Sequence, residues 1–257
     1  MEYVVICFAA LVASCLTLFS GFGLGTLLMP LFAIFFPVEV AIALTAIVHF
    51  LNNLFKLFLV GKFTDKGVVL RFGIPAIIFA FFGAKALLLL SGLKPLFVYQ
   101  LFERSFEVTP VKVVIAMLLA VFSIAEFSPR LSKVSFDRKY LPIGGTLSGF
   151  FGGLSGNQGA LRSLFLLRAG LSQEGYIATS TVIACFVDVT RLSVYSSYFF
   201  TAKGPWNLPL LFAATGSAFF GAFIGARYMK KVTMRAIQIL ISIMLFGIAA
   251  ALALGMI

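Results

Sequence analysis

Apolar runs alternate with short polar stretches along the whole chain, and six of these runs read as continuous helical spans. Their lengths lie near the roughly 20 residues that a helix needs to cross a bilayer. We therefore predict membrane-spanning helices over residues 39–60, 68–90, 110–125, 174–200, 206–229 and 232–255.

Two further apolar runs contain glycine-rich breaks. Residues 140–167 include seven glycines and a polar turn at 155–158. Each glycine in a helix interior costs about 1 kcal/mol relative to alanine, so we predict that the helix ends at this turn and that a short second helix covers 158–167. Residues 3–19 likewise form a helix that ends at a break over 20–25, with a short helix over 26–36. The alternative interpretation is that these glycines do not break the helices and serve only close helix packing.

The composition is that of a membrane protein. The chain has 61% hydrophobic and 11% charged residues, whereas soluble domains are about 45–50% apolar. This predicts an all-α polytopic membrane protein. The formal net charge of +11 comes from basic residues in short loops, where they act as topology signals, so no nucleic-acid partner is expected.

The sequence carries no pattern typical of a cofactor site or an enzyme. Its three cysteines lie in apolar runs without CxxC spacing, which indicates neither a disulfide framework nor a metal site. No combination of nucleophile, base and orienting group is visible, so no catalytic residues and no cofactor are expected.

The basic loops predict the topology. Lys and Arg cluster at 61–71, 127–139 and 227–235, and such loops favour the cytoplasmic side. All three can share that side only if each broken segment enters and leaves on one side as a re-entrant hairpin. Three crossings then remain in each half, and both termini lie outside.

The two halves resemble each other in a gap-free frame. An offset of 135 residues places Glu174 on Glu39 and Asp188 on Asn53, and at a separate offset of 138 residues the string Phe-Phe-Gly-Ala at 81–84 recurs at 219–222. We expect a first inverted repeat over residues 1–126, a cytoplasmic linker over 127–139 and a second inverted repeat over 140–257. Interrupted helices then meet near the midplane, as in secondary transporters.

Polar side chains share one face of each of two spans. These residues are Thr45, His49, Asn52, Asn53 and Lys56 on the first, and Ser180, Ala184, Asp188, Arg191 and Tyr195 on the second. His49 lies about 15 Å along its helix, near the bilayer middle, where a titratable group is a candidate for function. A packed core histidine is the alternative. Asp188 either couples transport or pairs with Arg191, and we expect Lys56 and Arg191 to snorkel to the interface.

The short helix after the second break offers an anion site. Its free N–H groups and positive dipole end point into the break beside Asn157 and Gln158. Arg162 lies one and a half turns into this helix and could bind an oxyanion bidentately, unless it pairs with Glu174.

Together these patterns predict one substrate site, with His49 and Asp188 as coupling residues. The predicted substrate-binding residues are Gly21, Gly23, Gly25, Thr26, Thr45, His49, Asn52, Asn53, Gly156, Asn157, Gln158, Arg162, Ser180 and Thr181. The expected partners are a small anion and the lipid bilayer, and a homodimer is left open.

The glycine motifs resemble those of the sulfite exporter TauE/SafE family over essentially the whole chain. The motifs are Gly-Phe-Gly-Leu-Gly at 21–25 followed by Pro30, the glycine-rich run at 149–156, and the two Phe-Phe-Gly-Ala strings. Leu24 replaces one glycine of the family pattern Gly-x-Gly-Gly-Gly, the second half reads Gly-Asn-Gln-Gly-Ala at 156–160, and Phe165 stands where the first half has Pro30.

This resemblance implies a multi-pass carrier in the bacterial inner membrane for sulfite, organosulfonates or related sulfur oxyanions. We expect alternating access between the two halves. An anion-selective channel or passive facilitator is the alternative, because the same residues could line a continuous pore.

Overall fold

The computed structural model describes residues 2–17, 24–101, 104–128, 135–201, 208–228 and 234–257. Its helices are α1 (Glu2–Thr17), α2 (Leu24–Ala33), α3 (Val38–Val60), α4 (Lys66–Val68), α5 (Ile74–Ser91), α6 (Pro110–Phe127), α7 (Leu141–Ser155), α8 (Gly159–Leu166), α9 (Gln173–Thr201), α10 (Leu208–Tyr228) and α11 (Met234–Ala253). A π-helical turn, Val69–Gly73, joins α4 to α5. Helices are thus present at the six predicted spans, and the second break is present, each within a few residues.

Four helices are long and apolar enough to cross a membrane among the described residues. They are Val38–Phe58, Lys66–Ser91, Gln173–Ser196 and Leu208–Gly225. Pro110–Ala125 and Ser242–Ala253, which the sequence also predicts as spans, are shorter apolar helices. The chain is therefore an all-α membrane protein.

Glycines allow the closest helix contacts. α7 packs on α5 and on the π-helical turn before it, where added Cβ atoms at Gly145, Gly149 and Gly153 would overlap the carbonyl oxygens of Phe72, Ala76 and Ala80. The four-residue spacing on both helices makes a stripe of close backbone approach. The packing interpretation therefore applies to these three glycines.

The Phe-Phe-Gly-Ala strings serve equivalent contacts. Gly83 of α5 lies against the carbonyl oxygen of Phe150 on α7, and Gly221 of α10 lies against that of Leu11 on α1. α6 packs on α11, and α3 packs on α9. The four most extensive helix pairs therefore each combine one helix of the first half of the chain with one of the second half, and α2 packs on α1 and α3 within the first half.

The outer ends of α7 and α8 lie at the same end of the molecule. Arg138, before α7, pairs with Asp65 at 3.7 Å, and the N–H of Phe136 donates to the carbonyl of Leu164 on α8 at 2.8 Å. The N–H of Asp65 donates to Thr179 near the start of α9 at 2.9 Å. Two of the basic loops, 61–71 and 127–139, therefore meet at this end.

At the other end of the molecule, the segments that follow α2 and that flank α6 line a cavity of about 360 Å³. It is lined by residues 33–39 together with Ser91, Glu107, Thr109, Val111, Lys112 and Ile257. α2 therefore ends where α3 begins, at the end opposite the Asp65 loop.

A small β-hairpin between α5 and α6 is absent from the sequence predictions. β1 (Phe97–Leu101) and β2 (Arg104–Val108) pair antiparallel, with Tyr99 opposite Phe106. The hydroxyl of Tyr99 donates to the carbonyl of Leu254 at 2.5 Å, which ties the hairpin to the end of the chain. Five-residue strands give too short an alternation to be recognised between two long apolar spans.

Candidate functional site

A buried carboxylate, Asp188 of α9, lies at the centre of the polar groups between α3 and α9. His49 Nδ1 on α3 lies 2.6 Å from its Oδ2 atom, and Arg191 donates from Nε to its Oδ1 atom at 3.0 Å. Asp188 and Arg191 are fully buried, and His49 is 7% exposed. Because a carboxylate only accepts hydrogen bonds, His49 carries a proton on Nδ1 whenever Asp188 is ionised. Of the two interpretations of Asp188 from the sequence, the pairing with Arg191 is present in the structure.

Gln158 and Arg162 extend this network to the start of α8. Gln158 donates from Nε2 to Asp188 Oδ1 at 3.3 Å, and its Oε1 accepts from Arg162 Nη1 at 3.1 Å. Arg162 also donates from Nε to Ser180 Oγ at 2.6 Å. Glu174, the alternative partner for Arg162, is exposed. The second break is therefore linked by side chains to α9.

Gly156 fixes the geometry of the second break. Its φ of 81° lies in the left-handed region that favours glycine, and its N–H donates to the carbonyl of Gly152 at 3.0 Å, which ends α7. A Cβ atom at Gly156 would lie 2.8 Å from Nη1 of Arg191. The guanidinium group of Arg191 therefore lies directly against the break.

Gly25 in α2 places the described part of the first break next to the second break and His49. A Cβ atom added at Gly25 would lie 3.6 Å from the carbonyl oxygen of Gly156, 3.7 Å from Cδ2 of His49 and 3.9 Å from Cγ2 of Thr45. The described part of the first break thus faces the second break beside His49. Gly21 and Gly23, which were also predicted to bind substrate, lie outside the described residues.

The two asparagines of α3 have different neighbours. The amide nitrogen of Asn53 lies 3.4 Å from Nε2 of His49, which can accept its hydrogen bond when the ring is neutral and Nδ1 carries the proton. Oδ1 of Asn52 accepts a hydrogen bond from the hydroxyl of Ser14 on α1 at 3.1 Å. Asn53 therefore belongs to the network around Asp188, whereas Asn52 connects α3 to the first broken segment.

Two of the three predicted threonines, Thr26 and Thr181, are not seen to contact the network around Asp188. Thr26 is buried in α2. The hydroxyl of Thr181 donates to the carbonyl of Ile177 at 2.7 Å within α9 itself, so it serves its own helix rather than the network.

A serine missed by the sequence reading supports the break. Ser148 of α7 donates to the carbonyl of Gln158 at 2.9 Å. Its neighbours one turn away, Gly144 and Gly152, lie against Phe165 and Gln158 of the α8 segment. The four-residue spacing of Gly144, Ser148 and Gly152 is the signal that could have identified this contact face.

Several buried polar atoms in this region have no hydrogen-bond partner among the described residues. They are Thr45 Oγ1, Asn52 Nδ2, Arg191 Nη1 and both side-chain polar atoms of Asn157. A buried polar group that is left unpaired costs about 1–3 kcal/mol, so natural proteins rarely retain one without a purpose. These atoms mark the surroundings of the two breaks as a place where a polar ligand fits.

The expectation that Lys56 and Arg191 snorkel to the interface is wrong. Lys56 is 5% exposed and Arg191 is fully buried, and both lie on the faces that α3 and α9 turn towards the protein interior. Position along a helix estimates depth, but the face on which a side chain lies decides whether it can reach water. The burial of both polar faces, which the helical periodicity predicts, is confirmed.

A family model described as sulfite exporter TauE/SafE matches residues 6–252 of the 257 residues. The chain belongs to the TauE/SafE sulfite exporter family. Neither a curated protein nor a solved structure matches it significantly. The resemblance noted in the glycine motifs is therefore confirmed, and the chain is a membrane transport protein of a family that moves sulfite or related anions.

The TauE/SafE assignment agrees with the site chemistry. A transporter of anions needs cationic or hydrogen-bond-donating groups inside the membrane, and such groups are rare there unless they serve a function. The family consists of transporters rather than enzymes. In the described residues, no group of three or more metal-ligating side chains is present.

Proposed function

We propose that the protein is a secondary transporter of a small oxyanion, such as sulfite or an organosulfonate, across the inner membrane. One observation carries the proposal: Gly25 and Gly156, from two helix breaks, face each other beside His49, with Arg191 against Gly156. Free backbone groups at a break and the adjoining helix N-terminus favour an anion. The breaks come from different halves of the chain, as a carrier with alternating access requires.

The substrate-binding groups of this proposal stand around the start of α8. Asn157 offers an amide that has no hydrogen-bond partner within the described parts of the chain, and Gln158 and Arg162 follow within one and a half turns. A guanidinium group suits a tetrahedral or pyramidal oxyanion, because its fork of N–H donors can bind two oxygens at once. Thr45 adds a hydroxyl from α3 that has no hydrogen-bond partner in the part of the chain that the structure describes.

We infer that residues 1–126 and 140–257 are inverted repeats. The pairs α5–α7 and α1–α10 support this, because each joins the fourth membrane element of one half to the first helix of the other. Gly83 and Gly221 hold the same place in the repeated string and each meets a carbonyl of the opposite half. In this arrangement α1–α2 and α7–α8 are hairpins that enter from opposite sides, and three helices per half cross.

The test is transport of radiolabelled sulfite in proteoliposomes that contain the purified chain. A carrier gives saturable flux and counterflow, in which unlabelled sulfite on one side drives labelled sulfite inward from the other. The rival, an anion channel, gives flux that does not saturate and shows no counterflow. Arg162→Gln should abolish the sulfite flux. Lys85→Gln is the matched control, because Lys85 is exposed and lies over the Phe81 ring at 5.7 Å.

Absence of any sulfite-dependent flux in the wild-type protein, together with an unchanged thermal unfolding profile in the presence of sulfite, would contradict the proposal. A competition series with sulfoacetate, taurine, thiosulfate and sulfate then identifies which oxyanion binds most tightly.

A further inference from the structure

The guanidinium group of Arg191 is shared between a carboxylate and the second helix break. Its Nε donates to Oδ1 of Asp188 at 3.0 Å, and its Nη2 lies 2.7 Å from the same oxygen. The guanidinium group also interacts with the hydroxyl of Tyr195. Its third nitrogen, Nη1, nevertheless is buried without a hydrogen-bond partner among the described residues. Because a guanidinium group only donates hydrogen bonds, Nη1 can take a further acceptor.

Nη1 of Arg191 lies at the break itself. A Cβ atom at Gly156 would lie 2.8 Å from Nη1, and the carbonyl oxygen of Gly156 lies 3.6 Å from a Cβ atom added at Gly25. Gly25 and Gly156 come from the two different breaks and have no side chains to fill the space between them. An acceptor bound where the two breaks meet would therefore lie next to Nη1.

Two other buried groups near the breaks have donors to offer. The side-chain amide of Asn157 has no partner in the residues that the structure describes, and the same holds for Oγ1 of Thr45. Cγ2 of Thr45 lies 3.9 Å from a Cβ atom added at Gly25. An oxyanion accepts several hydrogen bonds at once, and those from a guanidinium group are among the strongest. One such ligand could accept from α3, from the break and from Arg191 on α9 together.

Asp188 holds the other side of the same guanidinium group. It also accepts from Nε2 of Gln158 at 3.3 Å, and its Oδ2 atom lies 2.6 Å from Nδ1 of His49. The carboxylate therefore keeps two other neighbours when Arg191 shares its charge with a second anion. Because like charges repel, the carboxylate also weakens the binding of that anion.

We propose that Arg191 contacts the transported oxyanion directly through Nη1 and that Asp188 competes with the anion for this guanidinium group. This inference rests on the proposed transport of an oxyanion, and it adds a second guanidinium group, from α9, to that of Arg162. A carrier must release its substrate, so a built-in competitor favours turnover over tight binding. The alternative is that Arg191 only neutralises Asp188, as in a structural ion pair.

The test separates these two roles in a background that lacks the carboxylate. Asp188→Asn keeps the size of the side chain but removes its charge, so a purely structural Arg191 has nothing left to neutralise. Sulfite binding to the purified full chain is measured by isothermal titration at one fixed pH. Asp188→Asn should bind sulfite more tightly than the wild-type protein, because the anion then has no charged competitor for Arg191.

Adding Arg191→Gln to the Asp188→Asn protein should weaken sulfite binding at least about tenfold, the scale of one hydrogen bond to a charged group. The double variant contains neither buried charge, so no unpaired ion opposes its folding. Asp188→Asn/Arg191→Met, in which an apolar side chain replaces the guanidinium group, is a second version of the same test and should show the same loss. Thermal unfolding in detergent checks that each variant folds.

The matched control is an arginine–aspartate pair outside the site. Nη2 of Arg138 lies 3.7 Å from Oδ2 of Asp65, and both side chains are partly exposed. Asp65→Asn and Asp65→Asn/Arg138→Gln should bind sulfite with the same affinity, because neither residue lies near the breaks.

The two proposals fail in different ways. Equal sulfite affinities of the folded Asp188→Asn and Asp188→Asn/Arg191→Gln proteins would show that Arg191 does not contact the anion. Weaker binding by Asp188→Asn than by the wild-type protein would overturn the competition. Both results leave saturable transport of an oxyanion by the wild-type protein intact. Absence of that transport overturns the proposed function itself.

Discussion

Nδ1 of His49 and Oδ2 of Asp188 lie 2.6 Å apart, and this contact joins α3 to α9 beside the point where the two helix breaks meet. The two residues are 139 positions apart in the sequence and belong to opposite halves of the chain. A change of protonation at this pair therefore acts on both polar helices and on the break at once.

The first prediction concerns pH. Protonation of His49 adds a positive charge next to Arg191 and close to the break, so anion binding should strengthen as pH falls through the titration of the histidine. His49→Gln keeps a hydrogen-bond donor towards Asp188 but cannot titrate. Its affinity for sulfoacetate should vary less with pH than that of the wild-type protein, measured by isothermal titration between pH 5.5 and 8.5, a range over which both acidic groups of sulfoacetate stay ionised.

Identical pH profiles of the wild-type and His49→Gln proteins would show that His49 is a packed polar residue. The control is Asp137→Asn, because Asp137 is an exposed carboxylate outside the network and should leave the profile unchanged.

Much of this architecture could be predicted from the sequence, because the helices depend on local patterns. The glycine break at Gly156 follows from the cost of glycine in a helix and from its left-handed conformation. The burial of His49 and Asp188 follows from the spacing of polar residues on one helical face. Each of these two signals, the glycine-rich break and the polar helical face, lies within one continuous segment of the chain.

The contacts between segments could not be predicted in the same way. Lys56 and Arg191 are buried because α3 and α9 pack their polar faces together, and one helix does not reveal its neighbour. The bond from Ser148 to the carbonyl of Gln158 depends on the sharp turn that brings α8 back onto α7. The β-hairpin is too short for its alternation to be distinguished from loop sequence.

The second prediction separates binding from stability at the second break. Asn157 has no hydrogen-bond partner among the described residues, so Asn157→Ala removes no internal bond and should leave thermal stability nearly unchanged. It should weaken sulfite binding by about 1.5–3 kcal/mol if its amide donates to the anion. Gln158→Ala should lower both the thermal stability and the sulfite affinity, because Gln158 bridges Asp188 and Arg162. If the folded Asn157→Ala protein binds sulfite with wild-type affinity, the Asn157 amide is not part of the anion site.

The third prediction uses three glycines with different surroundings. A methyl group at Gly25 meets its neighbours at ordinary contact distances of 3.6–3.9 Å, so Gly25→Ala should fold normally but narrow the space between the two breaks and slow transport. Gly83→Ala forces a methyl group onto the carbonyl oxygen of Phe150, and it should destabilise the protein by about 1–3 kcal/mol.

Gly216→Ala is the neutral control, since nothing lies within 4 Å of the added methyl group. Measured transport rates and thermal unfolding of the three variants test whether the anion passes between the two breaks beside Gly25. A Gly25→Ala protein that transports at the wild-type rate would place the anion elsewhere.

The last prediction concerns topology and uses the two ends of the molecule. Lys62 lies in the exposed turn beside the Asp65 loop, and Gln100 is exposed on the β-hairpin at the opposite end. In a background in which Cys7, Cys15 and Cys185 are replaced by serine, a membrane-impermeant maleimide should label Gln100→Cys in intact cells. It should label Lys62→Cys only after permeabilisation, because basic loops favour the cytoplasmic side. Labelling of Lys62→Cys in intact cells would show the opposite orientation, and equal labelling of both positions would contradict a single membrane crossing by α5 between them.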